Sequence, residues 1–171
     1  GDGLDILANL SDYLHEQAEK PLIKSLYTAF IHKYPDKKST TGLSEKSINE
    51  IIWAYDQQAQ YLIKQEKFDD GFRIYDQALT ILDRHFGCLY NYALRLSEYA
   101  ILRKNVTNFN KSFHLYEKAI QVQPKNTNNL CNYGVALSAL AQINQDEILF
   151  EKSSEQYEKA LKIIPDHANN L

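Results

Sequence analysis

The chain has 171 residues, of which 44% are hydrophobic and 24% charged, the make-up of a folded chain rather than a disordered one. Its 19 Lys and Arg against 22 Asp and Glu leave a formal net charge of −3, so nothing draws it generally to nucleic acid or acidic membranes. Two cysteines are too few for a disulfide framework, and no apolar run approaches the length of a membrane span. A cytoplasmic, reducing setting is expected, with no direct membrane insertion and no nucleic-acid partner.

From the N-terminus, residues 4–18 and 21–33 read as two amphipathic helices. Pro21 stands where the first turn of a helix favours it. Leu22, Leu26, Tyr27, Phe30 and Ile31 form the apolar face of the second helix. Residues 35–47, with Lys37, Lys38, Ser39, Thr40 and Gly42, read as a polar linker. The first 46 residues are expected to form an N-terminal helical cap, with a degenerate extra repeat as the competing reading.

Residues 47–171 behave differently. "IYDQAL" at Ile74, "LYEKAI" at Leu115 and "QYEKAL" at Gln156 repeat one motif. Tyr75, Tyr116 and Tyr157 stand 41 residues apart, as do Ala78, Ala119 and Ala160. Leu89, Asn91, Tyr92 and Leu96 recur at the same interval as Leu130, Asn132, Tyr133 and Leu137. Periods of this size mark stacked supersecondary units.

Each unit reads as two helices. Phe113, Tyr116, Ala119, Ile120 and Val122 make one apolar stripe at spacings of three and four. Pro124 ends that helix, since it lacks an N–H and disfavours helical geometry before it. Residues 126–129, rich in Asn, suit a turn and a cap. A unit this small cannot bury its stripe alone and must stack on its neighbours. The units are placed at 52–85, 86–126 and 127–167, with 168–171 opening a further one. That last point makes the chain look like a fragment of a larger protein.

These residues resemble the tetratricopeptide repeat family. Leu130, Tyr133, Gly134 and Leu137 on a first helix, then Ser153, Tyr157 and Ala160 on a second, match its pattern, with Pro165 one position late. Tyr55, Ala59, Leu62, Gly71, Tyr75 and Ala78 match it in the first unit, with Asp83 where Pro is usual. The resemblance implies an all-α helical-hairpin repeat solenoid wound as a right-handed superhelix, and a protein or peptide partner gripped on its concave face. An Asn before the conserved hydrophobic position often holds the partner backbone in such repeats; Asn91 and Asn132 occupy that position. Neighbours on the implied inner face are Asp56, Gln60, Lys64, Tyr90, Leu94, Glu98, Val135 and Ser138. The basic clamp that some members use for a terminal carboxylate is not matched, because Asp56, Gln60, Asn128 and Asn132 replace its other groups.

The family period is about 34 residues, and the later units here exceed it. Nine positions separate Leu62 from Gly71, but sixteen separate Leu96 from Ser112 and Leu137 from Ser153. Seven residues are about two helical turns, so the hairpins are expected to be lengthened, with tips at 104–108 and 144–146. Tyr99, Ala100, Leu102 and Phe109 answer Leu140, Ala141, Ile143 and Phe150, which predicts packing between successive extensions.

Catalytic signatures are not apparent. There is no Gly-rich phosphate loop, no His-Glu-x-x-His and no Cys-x-x-Cys. His85-x-x-Cys88 lacks a second ligand pair, so no metal and no cofactor are expected. The function expected is a protein-interaction scaffold or adaptor rather than an enzyme. The alternatives are a regulatory or targeting arm of a larger enzyme or membrane-associated receptor, and a self-assembly unit pairing through an uncapped C-terminal end near Ile163 and Leu171.

Overall fold

The computed structural model describes residues 21–163, with side chains from residue 25 onward. The expected helix at 4–18, the side chain of Leu22, and Pro165 and Leu171 with the opening of a further repeat lie outside the described residues. Within them the chain is all-α: α1 (Pro21–Lys33), α2 (Glu45–Lys64), α3 (Phe68–Ile81), α4 (Phe86–Arg103), α5 (Val106–Val122), α6 (Thr127–Asn144) and α7 (Glu147–Ile163), plus a 3-10 turn at Lys38–Thr40. The helices form hairpins that follow one another along the sequence. Contacts group the described residues into two compact units, divided between Cys88 and Leu89.

Local chemistry sets the helix limits. Ser44, Asn105 and Asn126 each accept a hydrogen bond from the backbone N–H three residues on, satisfying a donor that the first turn leaves open. Asp146 does the same for Leu149 at 3.1 Å. The polar linker is shorter than the expected 35–47, because the Ser44 cap starts α2 at Glu45. At the tips, Glu66, Lys104 and Gln145 have φ of 58°, 51° and 55°. The N–H after each reaches back five residues, from Lys67 to Leu62, Asn105 to Ala100 and Asp146 to Ala141. Each tip is a Schellman turn built without glycine.

These tips divide the extra seven residues. Ala59 to Glu66 spans seven positions and Ala93 to Lys104 eleven; Glu66 to Gly71 spans five and Lys104 to Ser112 eight. Four residues lengthen the first arm and three the second, about one turn each. Both arms therefore keep their buried face in register.

In the first unit the core is aromatic. Tyr27, Tyr55 and Tyr75 are fully buried beside Ile51 and Ile52. Tyr27 meets Trp53 edge-on, with centroids 5.4 Å apart. The Tyr55 hydroxyl donates to the carbonyl of Tyr34 at 2.8 Å, and burial pushes its pKa up to about 12. Gly71 lets α3 lie against α2, since a Cβ there would stand 2.6 Å from Ile63 Cγ1 and 3.0 Å from the Ala59 carbonyl.

The second unit repeats the scheme. Tyr92 and Tyr116 are fully buried; Tyr116 stacks on Tyr133 at 5.5 Å, and its hydroxyl lies 3.1 Å from Ser97 Oγ. Ser153, in the place of Gly71 two units earlier, donates to the Gly134 carbonyl at 2.8 Å. The high tyrosine content has a physical cause here: rings fill the space between arms, and hydroxyls bond across them.

The extensions pack unequally. Ala100, Phe109 and Leu140 form one cluster, with Phe113, Ala139 and Leu149 against it. The expected contact between successive extensions is thus present at Phe109. Leu102, Ile143 and Phe150 depart from it, since all three are exposed. Leu102 sits in the last turn of α4, on the face away from the cluster.

Candidate binding surface

In the second unit, Tyr90, Asn91, Leu94 and Glu98 follow one side of α4, and Asn132, Val135 and Ser138 one side of α6. Asn132 Nδ2 donates to the Tyr90 hydroxyl at 2.8 Å, which brings these two sides together. The amide carbonyl of Asn132 has no partner among the described residues. Beside them Val135 is exposed, Ser138 is half-buried, and Arg95 pairs with Glu98 at 2.9 Å. Asn91 is half-buried in the same stretch. The result is an amide and hydroxyl surface with one exposed aliphatic and a flanking ion pair. Such groups can exchange hydrogen bonds with peptide units, since an Asn amide both donates and accepts.

The first-unit residues are placed differently. Asp56, Gln60 and Lys64 succeed one another on α2, but Asp56 is buried. Its Oδ1 accepts from the Tyr75 hydroxyl at 2.8 Å and its Oδ2 from Gln60 Nε2 at 2.8 Å. Asp56 therefore joins the two arms of its own hairpin, and Gln60 is held beside it. Lys64 is exposed in the last turn of α2.

Two features escaped the sequence reading. His85 Nδ1 accepts from the Cys88 N–H at 3.1 Å, so His85 caps the start of α4. Burial holds the imidazole below its ordinary pKa, partly opposed by the Asp56 charge, and burial pushes the Cys88 thiol well up. His85 lies 41 residues before the capping Asn126, a spacing that could have revealed it. The second feature is a groove of about 420 Å³ in the first unit, lined by Ile31, His32, Gln58, Leu62, Arg73 and Ile74. No group of three His, Cys, Asp or Glu able to hold a metal occurs among the described residues, and no described helix is long and apolar enough to cross a membrane.

This assembly defines an all-α protein of consecutive helical hairpins. No protein-family model matches the chain, and no curated protein matches it. Among solved structures, a crystal structure of MamA is similar, with a TM-score of 0.53 and 14% identity over 82% of this chain and 86% of that one. A second MamA crystal structure covers 95% of this chain and 96% of its own, at 14% identity and a TM-score of 0.49. The likeness to the first is one of fold.

Proposed function

We propose that the hairpins are tetratricopeptide-type repeats and that the chain is a protein-interaction scaffold, taking a partner peptide or helix on the face shared by α4 and α6. The observation that carries this reading is the Asn132–Tyr90 hydrogen bond. It fixes one amide of a repeated Asn position while leaving its carbonyl oxygen without a partner among the described residues, next to the exposed Val135. Asn91 and Asn132 occupy equivalent positions of successive repeats, 41 residues apart. Tyr90, Leu94, Glu98 and Ser138 border them. The chain's neutral amides and near-balanced charge favour an uncharged stretch of a partner over a free carboxylate terminus.

The test is affinity capture by the whole chain, with the retained protein identified by mass spectrometry and its binding then measured directly. Val135→Glu and the Asn91→Ala, Asn132→Ala pair are expected to weaken that binding, with melting curves showing the variants folded. Unchanged affinity in all of them removes the α4–α6 face as the binding surface.

A further inference from the structure

The groove of the first unit has a counterpart in the second, and the two differ at a floor residue. Asp70, Arg73, Ile74 and Gln77 line the first from α3. Two 41-residue intervals later stand Lys152, Glu155, Gln156 and Lys159 on α7, which line a smaller groove of about 330 Å³. Each groove also takes in the residue before the small residue of a first helix: Gln58 before Ala59, and Tyr133 before Gly134. The same position in the repeat between them is Tyr92, before Ala93.

In the two later repeats a phenol ring fills this place and is matched by its surroundings. Tyr133 is buried, with the rings of Phe113 and Tyr116 on it at 5.6 and 5.5 Å, and its hydroxyl donates to Glu117 at 2.8 Å. Tyr92 is fully buried, with the Lys111 ammonium 5.0 Å from its ring centroid. Gln58 brings neither ring nor hydroxyl. Its Oε1 is shut off from water and has no hydrogen-bond partner among the described residues, although a buried carbonyl oxygen ordinarily has one. Ile31, Leu62 and Ile74, each half-buried, supply apolar walls. The Asp70–Arg73 ion pair beside them is exposed. At about 420 Å³ the groove has the size of a small-ligand site.

We infer that this groove binds a planar aromatic ring carrying an O–H or N–H donor, a phenol or an indole, seated among Ile31, Leu62 and Ile74 with its donor on Gln58 Oε1. The ring supplies from outside what tyrosine supplies at 92 and 133, and its donor answers the one polar atom the groove leaves unmatched. Asp70 is already paired with Arg73, so the ring needs no charge of its own. A free small molecule and an aromatic side chain of a peptide present the same chemistry. All the residues concerned belong to the first unit, so the inference does not rest on the reading given to the α4–α6 face.

The probe is indole, titrated into the isotope-labelled whole chain and followed by amide NMR shifts, with benzofuran, of the same shape but lacking the N–H, run in parallel. Saturable shifts centred on residues 28–35, 58–62 and 70–77 are expected. Benzofuran should bind about tenfold more weakly. Gln58→Leu removes the acceptor and should bind the two alike. Gln58→Tyr puts into the groove the ring found in the later repeats, and should abolish binding with unchanged helical content by circular dichroism. N-acetyltryptophanamide separates the sources: binding tighter than that of indole assigns the ring to a peptide side chain, and weaker binding to a free ligand. No saturable shifts, equal affinity of the parent for indole and benzofuran, or undiminished binding by Gln58→Tyr overturns the inference.

Discussion

The hydroxyl of Tyr75 donates to Oδ1 of Asp56 across 2.8 Å, joining α3 to α2 with both side chains buried. Its ring fills the interior of the hairpin while its hydroxyl answers a polar group that water cannot reach. Tyr75→Phe keeps the ring and removes one donor from that carboxylate. The variant should lose about 1–3 kcal/mol of unfolding free energy, measured by urea titration. Asp56→Asn, which retains an acceptor, should lose less. Equal stability of Tyr75→Phe and the parent would show that the bond contributes nothing.

His85 gives the fold a dependence on pH. Its Nδ1 can accept from the Cys88 N–H only while unprotonated, and burial already holds its pKa below the ordinary 6.5. The folded chain therefore binds fewer protons at this group than the unfolded chain does as the pH falls through 6.5. Its stabilising contribution is complete above that value and declines below it, levelling off under the folded pKa. His85→Asn should keep the cap, because Asn126 accepts from Asn129 at 2.9 Å in the equivalent place. Melting midpoints between pH 7.5 and 5 should accordingly fall less in His85→Asn than in the parent. Parallel curves would assign the pH dependence elsewhere.

The hairpin tips invite stabilisation. Lys104 and Gln145 hold left-handed φ values, where a Cβ crowds the following carbonyl. Lys104→Gly and Gln145→Gly should each stabilise by about 0.5–1 kcal/mol, net of glycine's larger unfolded-state freedom. Arg103→Gly, one residue earlier and inside α4, should instead destabilise by about 1 kcal/mol. Opposite signs at adjacent positions make the comparison decisive, by thermal or urea unfolding.

The parts of this structure legible in the sequence are those written by spacing within a helix or between repeats. The 41-residue recurrence of Tyr75, Tyr116 and Tyr157 marked the second arms, and Pro124 marked an end. The tips expected at 104–108 and 144–146 contain Lys104–Asn105 and Gln145–Asp146, the residues between the paired helices. What depends on a partner from another helix was harder to read. Asp56 looks like a surface acid along α2 until the Tyr75 hydroxyl, 19 residues on, is brought to it. Likewise, repeat spacing gives Phe109 and Phe150 one identity, though among the described residues only Phe109 has a following helix against it. The linker misjudgement was local: Ser44 caps Ser47, a signal outweighed by the polar run around it.

That last pair supports a contrast in stability. Phe109 lies fully buried among Ala100, Leu140 and Leu149, so Phe109→Ala removes a large side chain from a packed cluster and leaves a cavity between the lengthened arms. A loss of about 3–5 kcal/mol is expected, the lost transfer energy adding to that of a space that cannot collapse. Phe150 occupies the same place in α7 with 39% of its surface in water. Its truncation gives up less burial and opens no enclosed space, so Phe150→Ala should cost under about 1.5 kcal/mol. Unfolding midpoints of the two variants, compared at equal protein concentration, decide the matter. Equal losses would mean that Phe150 is covered in solution, whereas a small loss at Phe109 would mean that the contact between extensions is not part of the core.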